Sequence, residues 1–357
     1  MYFLKRTFLI IPTLFLIMLI NFMVIQAAPG GPIEQFIAKI NHANQAKGEV
    51  ASQDSIKNFS SDNQSQYRGS NGIDPEIIAK IEKLYGFDLP LWERFWLMIK
   101  KFVVFDFGVS FYQDKKVIEL IWEKLPVSIS IGLWSTLLVY LISIPLGIKK
   151  AIYNGSKFDV ISTTLVIIGY AVPSFLFAVF LMIIFAGGNF LHIFPLRGLV
   201  SANFDELNWW RKIFDYIWHM TLPIISMVVG GFASLTFFCK NSFLEEINKQ
   251  YVLTAYAKGL SQKQVIYGHV FRNAMMIVIA GFPAAIVGIL FTGSMLIEII
   301  FSLDGLGLMG YEAAISRDYP VMFGTLYFFT FIGLITTIIS DFIYKLIDPR
   351  LNFEFKK

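Results

Sequence analysis

The sequence contains a single cysteine, Cys239, so an intrachain disulfide cannot form. Its four histidines, His42, His192, His219 and His269, lie far apart and have no zinc-type spacing. Charge is also scarce: Asp, Glu, Lys and Arg make up 16% of the 357 residues, against about 25% in an ordinary soluble domain. There is no G-x-x-x-x-G-K-[ST] phosphate loop, no G-x-S-x-G elbow, no H-E-x-x-H and no Cys-x-x-Cys. These absences remove the local signatures of nucleotide hydrolysis, serine esterases, zinc peptidases and dithiol redox chemistry. Hydrocarbon is abundant instead. Apolar residues reach 55%, Phe alone numbers 36, and mean hydropathy is +0.60, a composition suited to a bilayer rather than to water.

Stretches free of Lys and Arg occur at 8–27, 126–148, 160–186, 220–238, 275–303 and 321–344. A hydrocarbon core of about 30 Å is crossed by about 20 helical residues, so the pattern predicts an all-α polytopic membrane protein with six transmembrane helices. With the N-terminus inside, segments 1–7, 149–159, 239–274 and 345–357 carry 14 Lys and Arg, while the short outer segments 187–219 and 304–320 carry 4. Cytoplasmic loops retain basic residues, which predicts both termini inside. The organisation follows. Residues 1–27 form the cytoplasmic N-terminus and first helix, 28–125 a periplasmic domain, 126–344 a five-helix core with the cytoplasmic loop 239–274, and 345–357 a cytoplasmic tail. The first span imitates a secretory signal, but its apolar run is too long and Ile25 and Gln26 fit poorly before a cleavage point, so an uncleaved anchor is expected.

Within the outer segment, residues 41–72 are rich in Asn, Gln, Ser, Gly and Lys and predict a mobile polar loop, because they bury too little apolar surface to order themselves. From Asp74 the pattern turns helical: Asp74 caps, Pro75 suits the first turn, and Ile77, Ile78, Ile81 and Leu84 recur before Gly86. A second helix is predicted over 91–105, with Trp92, Phe95, Trp96 and Phe102 available to pack on the spans, to sit at the lipid interface or to receive a partner. Only Glu298 and Asp341 place an ionisable group inside a long apolar stretch, and both fall near its end, where an interfacial role is expected. With neither a phosphate loop nor a proton-relay series, energy for transport must come from a partner.

The loop 239–274 carries the most information. Leu244, Ile247, Tyr251 and Ala255 fall on one face of a helix predicted from about 243 to 258, which Gly259 ends. Ser261 stands three residues before Gln264, a capping-box pattern that starts a second helix through Val265, Ile266 and Val270 into the fifth span. Two short helices around a small-residue turn make an L-shaped projection. Such a projection fits a groove on a soluble protein or lies on lipid headgroups.

The stretch Thr254-Ala255-Tyr256-Ala257-Lys258-Gly259-Leu260, followed by His269 and Arg272-Asn273-Ala274, resembles the EAA loop of ABC importer permeases of the dipeptide and oligopeptide branch. The glutamate position of that loop is Leu253 here, and Tyr256 stands where an arginine is frequent. Further likenesses run along the chain in order: Pro29-Gly30-Gly31-Pro32, Tyr85-Gly86-Phe87-Asp88, Phe301-Ser302-Leu303 with Gly305-Leu306-Gly307, Arg317-Asp318-Tyr319-Pro320 and Asp348-Pro349-Arg350. Tyr67-Arg68-Gly69, Asn154 to Asp159 and Pro195 to Asp205 narrow the resemblance to permeases that import peptides and microcin C.

The resemblance implies a type I ABC importer permease fold with an extra periplasmic segment after the first helix, set in the bacterial inner membrane. It implies a second homologous permease, ABC ATP-binding subunits inside, a periplasmic or lipid-anchored solute-binding protein outside, a peptide substrate and no nucleic acid. No cofactor is expected in this chain, ATP and Mg belonging to partner subunits, and the chain is expected to be no enzyme. The coupling loop is represented by Tyr251, Thr254, Ala255, Lys258, Gly259, His269, Arg272 and Asn273. Tyr170, Ser174, Thr292 and Ser294 offer polar contacts to a peptide backbone, and Pro173 and Pro283 mark where spans bend along the same pathway. The competing reading is a membrane receptor or assembly protein that binds a partner outside and transports nothing.

Overall fold

A computed structural model describes residues 2–27, 89–187, 190–291 and 295–347. The expected polar loop 41–72, the helix from Asp74 to Leu84, the landmarks at 29–32, 67–69, 85–88 and 348–350, and the candidates Thr292 and Ser294 lie outside the described residues.

Among the described residues four helices are long and apolar enough to cross a bilayer: α1 (Tyr2–Ala27), α3 (Val117–Ile152), α6 (Trp209–Ile247) and α12 (Tyr319–Ile347). The run expected as the third span, with a bend marked at Pro173, is two helices, α4 (Lys157–Ala171) and α5 (Ser174–Phe185), whose axes differ by 90°. The cause is local. Val172 precedes Pro173 and takes an extended backbone, φ −89° and ψ 118°, because the proline ring disfavours the helical region for the residue before it. Counted as one span, the pair makes a fifth. The expected fifth span, 275–303, corresponds to α9 (Phe271–Phe291) and the short α10 (Met295–Ile300). The helix α2 (Leu91–Val103) forms where 91–105 predicts it, ending two residues early where Phe105 adopts φ +59°.

The chain divides into two compact units. One comprises Met1–Thr7, Trp122–Tyr311 and Phe331–Lys357, the other Phe8–Ile121 and Glu312–Thr330. In the larger unit small residues let helices approach. A Cβ on Gly147 of α3 would stand 2.7 Å from Cβ of Cys239 on α6, and one on Gly230 of α6 would stand 3.2 Å from Cβ of Ser174 on α5. The lone cysteine is fully buried, its Sγ 3.6 Å from the Ile144 carbonyl, which makes it a packing residue of this seam.

In the smaller unit the aromatic side chains of α2 divide between packing and exposure. Phe95 is buried edge-on against Phe15 of α1, with ring centroids 5.5 Å apart, and Phe102 packs against Phe107 and Tyr327 at 5.1 and 5.4 Å. Trp92 stays 64% exposed. Beside this cluster Asp318 accepts from the Ser110 hydroxyl at 2.5 Å and the Phe111 N–H at 3.2 Å. Burial pushes its carboxyl above the usual range, and these two donors oppose the rise.

Candidate functional site

The loop after α6 is a built projection. α6 ends at Ile247, where the chain turns through Asn248 and Lys249 before α7 (Gln250–Ala257) begins. The single helix expected over 243–258 is therefore two, with Leu244 and Ile247 in the last turn of α6. Lys249 takes an extended backbone, φ −77° and ψ 150°, and its ammonium pairs with Glu246. That hydrogen bond raises the Lys249 pKa, partial desolvation opposing it. Tyr251 donates its hydroxyl to Glu246 at 2.7 Å. Burial is the main cause that lifts its phenol above its ordinary value.

Gly259 ends α7 as the spacing predicts, at φ +80°. Its N–H donates to the Tyr256 carbonyl at 2.9 Å and the Leu260 N–H reaches the Ala255 carbonyl at 3.4 Å. These are the two bonds of a Schellman turn, which satisfies the last carbonyls of a helix and requires a left-handed residue. Two residues on, the Ser261 N–H donates to the Gln264 side chain at 2.9 Å, closing the expected capping box. α8 (Gln262–Val265) then passes through a π-helical turn, Ile266–Val270, into α9.

Periodicity identified the apolar face of α7, and the structure turns that face inward. Val252 and Ala255 are buried in one cluster with Ile148, Cys239, Phe243, Val265 and Val270, and Tyr251 and Leu260 pack against it. Ala255 thus anchors the projection instead of presenting a surface. The exposed side carries Leu253 at 66% and Tyr256 at 39%, together with Thr254, Lys258 and Gly259. His269, Arg272 and Asn273 are exposed on the second limb. The sequence reading noted Leu253 and Tyr256 only as departures from a family pattern. Their own i, i+3 spacing, one residue beyond Val252 and Ala255 on an eight-residue helix, was the available signal.

Two charge centres support the core. Lys150 of α3 is fully buried and lies 3.0 Å from Asp159 Oδ1 on α4. Its ammonium also donates to the Asp159 carbonyl at 3.0 Å, Ser162 at 2.9 Å and Thr163 at 2.6 Å. Lys240 of α6 reaches the same carboxylate at 2.8 and 2.9 Å, and the Gly155 N–H donates to it at 3.1 Å. Three helices are joined through one carboxylate. Sequence reading used these lysines only to orient the chain.

The second centre is Glu298 of α10, which the sequence placed at an interface and the structure buries completely. It accepts from the Ser128 hydroxyl at 2.9 Å and the Leu308 N–H at 2.7 Å. A Cβ on Gly305 would fall 2.5 Å from its carboxyl carbon. The carboxylate therefore holds the turn that leads into α11 (Leu306–Ser316), and the glycines make room for it.

Of the pathway candidates, Tyr170 is 60% exposed, Pro173 forms the 90° break, and Ser174 sits half-buried against Gly230. Pro283 lies within α9.

A model of the binding-protein-dependent transport system inner membrane component matches residues 143–353. The inner membrane ABC transporter permease protein YejB of Escherichia coli O157:H7 is 57% identical over 362 residues, covering 99% of each chain. The peptidoglycan transport system permease protein YejB of Agrobacterium fabrum is 55% identical over 357 residues, 99% of this chain and 98% of that one. The oligopeptide transport system permease protein AppB of Bacillus subtilis is 31% identical over 354 residues, 99% of each. All three are transport subunits and none is a receptor or an enzyme by name. Because the family model spans more than half of the sequence and full-length relatives exceed half identity, the chain belongs to the family of binding-protein-dependent inner membrane transport components, the permease subunits of ABC importers.

Proposed function

We propose that this chain forms, with a second homologous permease, the pathway of an ATP-driven importer of peptides or peptide-like compounds such as microcin C. The relatives named for peptidoglycan and oligopeptide transport share the peptide bond as a common chemical element, which supports that substrate class. ATP-binding subunits dock on the projection around α7 from the cytoplasm, and a periplasmic or lipid-anchored solute-binding protein delivers substrate to the outer side. Six spans, both termini inside and an outer segment over 28–125 complete the reading, supported by the count of 14 basic residues against 4. Tyr170, Pro173, Ser174, Pro283, Thr292 and Ser294 contribute to the pathway; the bend at Pro173 supports this, since helix breaks at membrane depth are tolerated where they line a cavity.

The observation that carries the proposal is Leu253, a leucine 66% exposed on a helix whose opposite face is locked into the core. An exposed leucine beside a tyrosine on a rigid, short helix is the anchor expected of a helix that enters a groove. ATP-driven closure of the ATPase dimer then moves this helix, and the Schellman turn and capping box pass the motion to α9. The test is Leu253→Asp, measured by copurification of the ATP-binding subunit and by peptide uptake at matched membrane levels. Loss of both is expected. Wild-type values for both would remove the coupling role from this face.

A further inference from the structure

The larger unit has a groove of about 680 Å³ between α3 and α6 that no transport step above employs. Its walls are hydrocarbon: Leu138 on one side, and Ile213, Ile217, Ile224 and Ile225 along one face of α6 on the other. At one end stands Lys212, half exposed, with its ammonium 5.3 Å from the centre of the Phe204 ring.

Lys212 has no ion pair there among the described residues, although the exposed Asp205 and Glu206 flank the Phe204 ring beneath it. Lys124, Lys150, Lys240 and Lys249 each pair with a carboxylate, whereas among the described residues no carboxylate pairs with Lys212. Asp215, the nearest acid along α6, is committed to the Ser201 N–H and hydroxyl and lies 3.6 Å from His219. Arg211 beside it is exposed and adds a second cation.

Depth fixes where this end sits. Lys212 and Lys240 are 28 residues apart on one continuous helix, about 42 Å, which matches a bilayer measured from headgroup layer to headgroup layer. With the orientation proposed above, Lys240 marks the inner headgroup level and Lys212, in the outer segment 187–219, the outer one. The exposed pair Trp209 and Trp210, stacked at 3.7 Å just before it, forms the aromatic belt expected there. From Lys212 to Ile225 the groove runs 13 residues along α6, about 20 Å. Trp134 donates its indole N–H to the Tyr216 hydroxyl at 3.0 Å, so these two polar groups satisfy each other and leave ring surface to the groove.

We propose that this groove holds a single phospholipid, its phosphate on Lys212 and an acyl chain along the isoleucine face of α6, with a preference for an anionic headgroup.

The test uses the intact transporter, reconstituted in equimolar phosphatidylglycerol and phosphatidylethanolamine, extracted with detergent and weighed by native mass spectrometry. Wild type should retain phosphatidylglycerol. Lys212→Glu should lower that retention by more than the roughly fivefold that loss of one lysine costs at a charged membrane surface, and Lys212→Arg should keep it. Ile217→Trp should lower retention of either lipid by narrowing the groove while subunit assembly is kept. Equal phosphatidylglycerol retention in wild type and Lys212→Glu would overturn the proposal. So would release of the second permease by Ile217→Trp with lipid retention unchanged, since the groove would then be a protein interface.

Discussion

Replacing Asp159 by Asn removes the only charge that balances two lysines in the described charge centre. Lys150 is fully buried and Lys240 is 14% exposed, and both ammonium groups lie within 3.0 Å of that carboxylate. In Asp159→Asn, Lys150 keeps acceptors in the Asp159 main-chain carbonyl, Ser162 and Thr163, so its N–H groups stay bonded while its charge loses its partner. Removing one member of a buried pair costs about 3–5 kcal/mol because the other charge stays behind uncompensated. Lys150→Met acts differently. It takes away the most buried cation and leaves Asp159 with Lys240 and the Gly155 N–H, so the cost should be about 1–2 kcal/mol. The assay is the apparent melting temperature of the purified transporter together with its level in the membrane. Asp159→Asn should lower both more than Lys150→Met does. If Lys150→Met proves equally or more damaging, charge balance is not what holds α3, α4 and α6 together there.

Gly259 has φ +80° and open space where a Cβ would stand, so its substitutions meet backbone strain alone, about 1–2 kcal/mol for an ordinary residue. Gly259→Val should weaken ATPase copurification and abolish uptake while Gly259→Asn, which tolerates the left-handed region, keeps both; identical behaviour of the two variants would refute the turn's role. Gly305→Ala drives a methyl group to 2.5 Å from the Glu298 carboxyl carbon and should reduce the folded protein in the membrane more than Glu298→Gln, which costs about 1–3 kcal/mol by weakening acceptance from Ser128 and Leu308; quantitative blotting of membranes ranks them. A C-terminal reporter active only in the periplasm should stay silent, given the 14-to-4 distribution of basic residues; an active one overturns the orientation.

Much of the molecule was legible in one dimension because its determinants are local. Hydrocarbon runs set the long helices, Gly259 and the Ser261-to-Gln264 spacing set the corner between α7 and α8, and each depends on residues within a few positions of one another. The Pro173 break was equally local. Its proline was noted, but composition measures only how apolar a segment is, and a bent pair of helices is as apolar as a straight one. The end of α6 at Ile247 was missed because Leu244 and Ile247 continue the periodicity across the turn at Asn248 and Lys249.

What sequence alone determined is the class of the protein, the existence of its spans and the chemistry of the corner between α7 and α8, since solvent preference and turn geometry are properties of short segments. The direction each face points required tertiary structure. A helix's apolar face shows that something covers it, not whether that cover is the protein's own core, as for Ala255, or is absent, as for Leu253. Charge follows the same logic. Asp159 lies 81 residues from Lys240 and Glu298 lies 170 from Ser128, and only folding brings such groups within hydrogen-bond range, where the cost of burying one is offset by the other.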